Sequence, residues 1–317
     1  MPPSQPYAIA VDLGGTNLRV AAINADFEKL EARSQATQVS EGAAAAVDKL
    51  CRCIEEIIAR LGPPLGIGIA FPGQVERESG RIRIAANLPG WAGFELRSTL
   101  AARLPYPIRL EHDGTAAAIG EFWRGAGVGS DSMAMLTLGT GVGSAMIINR
   151  RIWRGKDGGA PELGHVGVDY NGRNCGCGGR GCLESYVSAP GIAVLARRHF
   201  GETPVTARRL AELALAGHRG ALAVWDEMAA ILAAGLAGWI NLLDLPLYVI
   251  GGGVSRSWPV FEPRLRRELE QRSFRYRRGQ TRVVRSRLEE AGLTGAAALI
   301  VSPALEDFPA PVSTARE

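Results

Sequence analysis

Residues 8–23 read AIAVDLGGTNLRVAAI, and this stretch decides the fold. Two apolar runs, 8–13 and 18–23, flank the turn Gly14-Gly15-Thr16. A short glycine turn between apolar runs is typical of two paired strands. Because glycine lets the backbone approach a ligand closely, the exposed N–H groups of such a turn can bind phosphate oxygens.

The same pattern occurs twice more. Residues 133–148 read MAMLTLGTGVGSAMII, with the turn Gly139-Thr140-Gly141 at the centre. Thr16 and Thr140 are 140 − 16 = 124 residues apart, about one domain length, so we interpret the repeat as an internal duplication; chance similarity of two short strand pairs is the alternative. A third turn, Gly251-Gly252-Gly253, follows the apolar run 247–250. Three such turns after strands favour a nucleotide site.

The remaining patterns alternate between helix and strand. Apolar spacing predicts helices over 41–61, 115–123 and 222–243, a strand over 66–70 and a final helix from about 295. This order predicts a mixed α/β protein. We expect a small N-terminal domain over 1–115, joined by the helix from about 295, and a larger domain over 116–294. The tail after Pro303 is expected to be disordered.

The nucleotide site belongs to neither of two common classes. The sequence lacks a GxxxxGK[ST] motif, and no glycine turn leads into a helix with an acidic residue about 20 positions later, as a dinucleotide site requires. Asp12 ends an otherwise apolar strand, so its carboxylate needs a partner. Either it faces a Mg²⁺ ion held by nucleotide phosphates, or it hydrogen-bonds the turn.

A cysteine cluster predicts a metal site. Cys175, Cys177 and Cys182 lie within eight residues on glycine-rich backbone, and His165 lies ten residues upstream. One imidazole and three thiolates form a closed tetrahedral zinc site of the structural kind. A disulfide is the weaker interpretation, because pairing would leave one of three cysteines over.

Three carboxylates stand near these motifs. Glu162 precedes His165 by three residues, and Glu184 follows Cys182 by two, so a bound zinc ion would fix the backbone that carries both. Paired carboxylates held in this way suit sugar hydroxyls. Asp113 follows an apolar strand and precedes a small-residue helix, so it either caps that helix or acts as a general base.

Bulk properties restrict the remaining possibilities. The 317 residues are 46% hydrophobic and 21% charged, with a net charge of +4, as in ordinary globular proteins. No signal peptide or uninterrupted apolar span is evident, so we expect a cytoplasmic protein without a membrane partner. Ten arginines over 264–287 could bind nucleic acid, but their spacing favours a solvated helix face and an exposed strand.

The motifs together resemble the ROK (repressor, open reading frame, kinase) family. The turns at Gly14, Gly139 and Gly251 resemble the two phosphate motifs and the adenosine turn of the sugar kinase, Hsp70 and actin superfamily. Residues 162–165 followed by 175–184 resemble the ROK signature, and residues 87–91 resemble a sugar-contacting segment of ROK glucokinases. The resemblance covers residues 8–298.

This resemblance implies a two-domain actin-like/ribonuclease H-like ATPase fold with a cleft between the domains. It also implies ATP, Mg²⁺ and structural Zn²⁺ as cofactors, Asp113 as catalytic base, and phosphorylation of a hexose, with glucose favoured. The implied sugar-binding residues are Asn87, His112, Asp113, Glu162, His165 and Glu184; the implied nucleotide-binding residues are Asp12 and the residues of the three glycine turns. His165 would serve both sugar and zinc.

Two departures bear on the substrate. His112 stands where the family usually has asparagine, and Pro161 stands where glycine commonly precedes Glu162. An imidazole is larger than a carboxamide and donates and accepts only through ring nitrogens, so the neighbouring hydroxyl can be recognised differently. An N-acetylhexosamine or fructose kinase is therefore the alternative.

Two other functional classes fit the sequence less well. A sugar-responsive repressor would need a DNA-binding module ahead of the first strand, and only seven residues precede it. A non-catalytic sugar-binding regulator would leave Asp113 and the glycine turns unused. We expect a homo-oligomer, with a dimer favoured.

Overall fold

The computed structural model describes residues 5–15, 17–37, 42–85, 88–156, 158–159 and 161–302. Contacts between Cα atoms divide the chain into two compact units. The first comprises the described residues of Met1–Gly129, Ile147–Ala160 and Arg287–Glu317, and the second comprises those of Ser130–Met146 and Pro161–Ser286.

Strands and helices alternate along the chain. In the described residues the strands are β1 (Tyr7–Leu13), β2 (Asn17–Asn24), β3 (Lys29–Ala36), β4 (Ile67–Phe71), β5 (Gln74–Val75), β6 (Ile82–Ile84), β7 (Ile108–His112), β8 (Met133–Leu138), β9 (Val142–Ile148), β10 (Arg151–Trp153), β11 (Leu247–Gly251) and β12 (Arg282–Arg285). The α-helices are α1 (Gly42–Leu61), α2 (Leu96–Ala101), α3 (Asp113–Arg124), α4 (Glu184–Val187), α5 (Ala189–Phe200), α6 (Ala207–Leu215), α7 (Arg219–Leu243), α8 (Trp258–Arg272), α9 (Phe274–Arg277) and α10 (Ala291–Val301).

Two five-stranded sheets share one strand order. The first runs β3-β2-β1-β4-β7 and the second β10-β9-β8-β11-β12. In the first sheet β1 pairs with β2 in antiparallel orientation. Strand β4 pairs with β1 in parallel orientation, and β7 pairs with β4 in parallel orientation. In the second, β8, β11 and β12 are likewise parallel neighbours. The repeated order agrees with an internal duplication and, with the helices between strands, confirms the predicted α/β class.

The first unit has an extensive apolar core. The strand β1 is buried on both faces apart from the half-buried Asp12, which explains why its sequence is a continuous apolar run rather than an alternating one. Helix α1 turns one apolar face towards this core, including Leu50, Ile54 and Ile57. Cys51 and Cys53 are buried on the same helix and are free thiols.

Glycines let helix α10 pack very closely in the first unit. A Cβ atom added at Gly295 would lie 1.6 Å from the carbonyl oxygen of Ala116 on α3. A Cβ added at Gly68 on β4 would lie 1.8 Å from the carbonyl oxygen of Ala296. Both contacts are with backbone, which cannot move aside as a flexible side chain can. Any side chain at these positions therefore forces α10 away from its neighbours.

The substitution Gly295→Ala is expected to lower the free energy of unfolding by about 3 kcal/mol, at the upper end of typical overpacking costs. Gly238→Ala is the matched control, because Gly238 lies exposed on α7 with nothing within 4 Å of an added Cβ. The control should be neutral or up to about 1 kcal/mol more stable, since alanine loses less backbone entropy in a helix. Urea unfolding measures both, and equal stability of Gly295→Ala and wild type would contradict the packing argument.

The two compact units do not divide at the predicted domain boundary between residues 115 and 116. Helix α3 packs against α10 and therefore belongs with the first unit up to Gly129. The segment Ile147–Ala160 also joins the first unit, although it continues directly from a strand of the second sheet. The helix from about 295 lies in the first unit and begins four residues earlier, at Ala291.

Helix α7 is the longest apolar element. Its length and composition would allow it to cross a bilayer, and 56% of its most apolar window is buried within the protein. It packs against α8 and α5. Such burial is the usual state of a core helix. The arginine-rich region over 264–287 comprises parts of α8, α9 and β12, with Arg264 and Arg272 both paired to Glu268.

Candidate functional site

The carboxyl ends of β1, β4 and β7 meet at one edge of the first sheet. In the parallel register Asp12 is opposite Ala70, and Phe71 is opposite His112. Asp113 follows directly as the first residue of α3. This edge therefore brings together Asp12, the first glycine turn, His112 and Asp113, as expected of a ligand site in a parallel α/β sheet.

Asp12 has an unusual protonation equilibrium. Its carboxylate is half-buried and lies 3.5 Å from the Arg19 guanidinium on the paired strand. Burial raises the pKa of Asp12 to about 6; Arg19 opposes this, while the negative charges of Asp113 and Glu290 add to it. A carboxylate in this state is stabilised by a nearby cation, so the raised pKa supports the predicted Mg²⁺-facing role.

Asp12 should destabilise the ligand-free protein above pH 6. Its pKa is higher in the folded protein (about 6) than in the unfolded chain (3.8), so its contribution is most favourable below pH 4 and is lost as the pH rises through 6. Asp12→Asn should therefore raise the free energy of unfolding at pH 8 by about 2–3 kcal/mol and leave it nearly unchanged at pH 4. Urea unfolding at both pH values tests this, with the exposed Asp26→Asn as control; a gain that does not depend on pH would contradict it.

Backbone hydrogen bonds hold the first glycine turn. The N–H of Gly14 donates to the carbonyl oxygen of Asn17 at 2.9 Å, and the hydroxyl of Thr37 donates to the carbonyl oxygen of Gly14 at 2.6 Å. Gly15 is exposed. Thr16 lies outside the described residues, as does the predicted sugar ligand Asn87.

Asp113 is accessible and locally held. Its Oδ1 accepts the N–H of Gly114 at 2.7 Å and lies 3.2 Å from Nε2 of His112. His112, not Asp113, is the N-cap residue of α3, and it makes no side-chain capping hydrogen bond. The carboxylate is 45% exposed, so a substrate hydroxyl can reach it. The carboxylate therefore satisfies one N–H group in the first turn of α3 and also remains open to a substrate hydroxyl.

Sequence reasoning missed a second carboxylate on the same helix. Glu121 is fully buried, and its carboxylate accepts backbone N–H groups of Ala126, Arg287 and Leu288 at 2.6 to 3.2 Å. It thereby ties the end of α3 to the segment that leads into α10. The sequence did hold one signal for this buried carboxylate: Glu121 is isolated among apolar residues, on the face of the helix that packs inward.

The second and third glycine turns are neighbours in the second unit. Strand β11 runs parallel to β8, with Gly251 opposite Thr137, so both turns lie at one edge of the second sheet. Gly252 has a φ of 80°, and a Cβ there would lie 2.4 Å from the carbonyl oxygen of Leu138. In the other turn the N–H of Gly139 donates to the carbonyl oxygen of Gly141. Glycine is required at Gly252 both by its φ and by this contact.

The carboxylate of Glu184 reaches the second glycine turn. Its Oε2 accepts the N–H of Val142 at 2.7 Å, and a Cβ at Gly141 would lie 2.7 Å from the same oxygen. Glu184 begins α4, two residues after Cys182. Glu162 is exposed and precedes the 3-10 turn Leu163–His165, in which its carbonyl oxygen accepts the N–H of His165. The structure thus places Glu184 between the cysteine cluster and the turn.

Four potential metal ligands converge as predicted. The ligand atoms of His165, Cys175, Cys177 and Cys182 all lie within 4.8 Å of one another. The imidazole Nδ1 of His165 is 3.7 Å from the sulfur of Cys175, and the sulfurs of Cys177 and Cys182 are also 3.7 Å apart. These separations match the edges of a tetrahedron around one ion with Zn–S bonds of about 2.3 Å.

The thiols of the cluster titrate at different pH values. Burial raises the pKa of Cys175, but hydrogen bonds from Cys177, Ser185 and His165 outweigh it and lower the pKa to about 7. Burial, followed by hydrogen bonds to the neighbouring cysteines, raises the pKa of Cys182 to about 12. Thiolates packed this closely repel one another unless a cation lies between them, so the donor set fits a metal ion of the thiolate-binding class.

The chain matches a known protein family over most of its length. The ROK family matches residues 8–302. The glucokinase of Thermotoga maritima is 35% identical over 306 residues, covering 92% of this chain and 96% of that protein. The N-acetyl-D-glucosamine kinase of Escherichia coli O6:H1 is 32% identical over 299 residues, covering 91% and 97% respectively.

A solved structure gives the same result. The ROK family glucokinase from Streptomyces griseus, in complex with glucose and AMPPNP, is 30% identical, with a TM-score of 0.77 over 93% of this chain and 99% of that chain. This likeness confirms the actin-like ATPase fold that the family resemblance implied. Since the family matches residues 8–302 and the Thermotoga maritima relative is 35% identical over 92% of this chain, the protein belongs to the ROK family.

Proposed function

We propose that the protein is an ATP-dependent hexokinase that transfers the γ-phosphoryl group of ATP to the 6-hydroxyl of glucose. Family membership and glucokinase relatives support the reaction class. The observation that carries the proposal is the accessible Asp113 at the sheet edge that also holds Asp12 and the first glycine turn. A base beside a phosphate-binding turn is the arrangement that phosphoryl transfer to a hydroxyl requires.

Asp113 is the proposed general base. It takes the proton from the attacking hydroxyl as the phosphoryl group is transferred, which leaves the oxygen negatively charged at the moment of bond formation. The hydrogen bond from Gly114 and the nearby His112 hold the carboxylate in one orientation. Such positioning reduces the entropic cost of reaching the transition state.

ATP and Mg²⁺ are the proposed nucleotide ligands. The turns beginning at Gly14 and Gly139 offer backbone N–H groups to phosphate oxygens, and the turn at Gly251 receives the adenosine. Asp12 faces the Mg²⁺ ion, which supplies charge neutralisation at the phosphates when bound. The raised pKa of Asp12 falls when that cation is present, so Mg²⁺ binding should release protons near pH 6.

The proposed sugar ligands come from several loops. Five residues hold the hydroxyl groups of the hexose, because their polar side chains form hydrogen bonds in defined directions. These residues are Asn87, His112, Glu162, His165 and Glu184. The N–H of Val142 already donates to one carboxylate oxygen of Glu184, which fixes the orientation of that side chain. The structural zinc ion is the proposed metal at His165, Cys175, Cys177 and Cys182; when bound, it stiffens the loop that carries Glu184.

Turnover across sugars tests the function. Purified protein with ATP and Mg²⁺ is expected to release ADP fastest, in kcat/KM, with glucose among glucose, N-acetylglucosamine, N-acetylmannosamine, mannose and fructose. A coupled spectrophotometric assay of ADP release measures this, with sugar-free reactions as the baseline. If none of the five sugars raised ADP release above that baseline, a non-catalytic sugar-binding protein would be the better interpretation.

A second candidate substrate is N-acetylglucosamine. The E. coli relative with that activity is nearly as similar as the glucokinase relatives, and His112 replaces the asparagine usual beside the base. A higher kcat/KM for N-acetylglucosamine than for glucose in the same assay would replace the first assignment. His112→Asn would then be expected to shift the ratio towards glucose.

We also propose a cellular compartment and an oligomeric state for the enzyme. It acts in the cytoplasm, where ATP and reduced thiols are available, and zinc-bound cysteines remain unoxidised there. It assembles as a homo-oligomer, with a dimer favoured. Sedimentation velocity at micromolar concentration measures the assembly.

A further inference from the structure

Tyr170 is an aromatic side chain that the fold leaves in solvent. It is 95% exposed, more than any other large apolar side chain in the part of the chain that the structure describes. A tyrosine buries about 150–250 Å² when it is covered, and tyrosines are enriched among the residues that dominate binding at protein interfaces. A single exposed apolar side chain is nevertheless common, so Tyr170 has meaning only together with its surroundings.

The backbone that carries Tyr170 is already ordered. The carboxylate of Asp169 accepts the hydroxyl of Tyr186 at 2.9 Å, and the carbonyl oxygen of Gly181 accepts the N–H of Val168 at 2.8 Å. A Cβ added at Gly181 would lie 1.8 Å from the carbonyl oxygen of Asp169, so the two segments pack backbone against backbone. A partner that contacts Tyr170 therefore would not have to immobilise this turn.

A surface pocket begins directly beside the same turn. Its volume is about 300 Å³, and its described lining lies wholly in the second unit. Val168 and Asp169 line it, and helix α7 contributes Glu227 and the half-buried side chains of Ala230, Ile231 and Ala234. We call it the α7 pocket. No residue that we assign to the nucleotide, the sugar or the zinc site belongs to its described lining.

The α7 pocket fits a tyrosine side chain in size and in charge. A cavity of about 150 Å³ encloses a benzene ring, so about 300 Å³ has room for a phenol. Glu227 accepts Arg198 at 2.8 Å, and a carboxylate can accept a further hydrogen bond from a phenolic hydroxyl. Arg272 also lines the pocket, and its side chain is 46% exposed, so its guanidinium can face the negative face of an aromatic ring.

The tyrosine and the pocket lie side by side on one chain, but they do not fill each other. Tyr170 directly follows two lining residues, yet it stays in solvent. A second copy of the chain presents the same tyrosine and the same pocket. Two copies related by a two-fold axis can therefore each place Tyr170 in the α7 pocket of the other, and such an arrangement closes at two chains.

We propose that Tyr170 and the α7 pocket form a self-complementary interface between two copies of this chain. The proposal rests on the dimer proposed above and gives that dimer its contact surface, but it does not depend on the phosphoryl-transfer reaction. Two buried tyrosines supply about 300–500 Å² of the roughly 1,200 Å² that a stable interface buries. The turn around Tyr170 and the half-buried face of α7 adjoin the pocket and supply further area.

Sedimentation velocity of the full chain over a concentration series tests the interface. Wild type is expected to dimerise, and Tyr170→Ala is expected to raise the dimer Kd at least about a hundredfold, because two contacts of at least about tenfold each are lost. Tyr170 is exposed, so its truncation should leave the fold intact, which circular dichroism checks. Leu215→Ala is the matched control, because it truncates a side chain that is 73% exposed on α6, outside the described pocket lining; its Kd should equal that of wild type.

A mixing experiment tests whether the tyrosine enters the pocket. Ala234→Trp fills the α7 pocket but keeps Tyr170, so this variant alone should also dimerise weakly. An equimolar mixture of Ala234→Trp and Tyr170→Ala can form one intact contact, in which the tyrosine of the first variant enters the open pocket of the second. Energy transfer between differently labelled variants should therefore give a heterodimer Kd between that of wild type and that of either variant alone.

The outcomes separate this proposal from the proposed function. A monomeric wild type, or a Tyr170→Ala variant that dimerises as tightly as wild type, would overturn the interface. A heterodimer no tighter than the dimers of the two variants alone would also overturn it, because Tyr170 would then not occupy the pocket. A dimeric wild type that phosphorylates no sugar would refute the hexokinase assignment alone, whereas a monomeric wild type that phosphorylates glucose would refute only the interface.

Discussion

Asp113→Asn is expected to lower kcat by about a thousandfold, the middle of the range that general-base catalysis contributes. Asparagine keeps the size of the side chain and an acceptor for the N–H of Gly114, so the start of α3 should remain intact. It cannot take a proton from the substrate hydroxyl. The loss should therefore fall on kcat, whereas the affinities for ATP and glucose should change little.

Stopped-time ADP release and calorimetric binding of glucose measure the two effects separately. Asp26→Asn is the control, because it makes the same chemical change at an exposed position of the first unit, in the turn after β2. Its kcat should equal that of wild type. Retention of more than a tenth of the turnover by Asp113→Asn would remove the residue from the role of base, and the neighbouring His112 would become the group to test.

Loss of the metal is expected to lower the stability of the protein substantially. Cys182→Ser removes the most buried ligand of the cluster, and the remaining thiolates would then lack a closed four-ligand site. If this costs about 3 kcal/mol, the apparent Tm should fall by about 6–12 °C, because 1 kcal/mol moves the Tm of a domain of this size by about 2–4 °C. Hydrogen exchange should increase over residues 165–184.

Metal analysis of the purified protein provides the direct measurement. Wild type should contain one zinc ion per chain, and Cys182→Ser should contain much less. Cys51→Ala is the control, since that buried thiol lies on α1 in the first unit and should leave the zinc content unchanged. A wild-type protein without stoichiometric zinc, or a Cys182→Ser variant with unaltered zinc and Tm, would contradict the assignment.

The strands and glycine turns were predictable because their signals are local. The run Met133–Leu138 has the predicted bounds, and β1, β2, β4, α3 and α7 differ from prediction by one to three residues at their ends. An apolar run that ends in glycine constrains the backbone strongly whatever surrounds it. The cysteine cluster was predictable for the same reason, since four strong ligands on a short loop have few alternatives to a shared ion.

Features set by long-range packing could not be read from the sequence. The division into two units depends on the packing of α3 against α10. These helices lie about 180 residues apart in the sequence, so no local sequence pattern predicts their contact. Glu184 was expected at the sugar, yet its hydrogen bond to Val142 depends on how the cysteine loop folds back onto the second turn.

The close packing of α10 also has a consequence for the synthesis of the protein. The core that includes Ala10, Ala70 and Ala116 is completed by Leu293, Ala296 and Ala297, which leave the ribosome long after the first 129 residues. At translation speeds of about 5–20 residues per second, the interval between residues 129 and 287 lasts roughly 8 to 30 s. During that time one apolar face of the first sheet is not yet covered by α10. We therefore expect chaperones that bind exposed apolar surface to bind the nascent chain until synthesis ends.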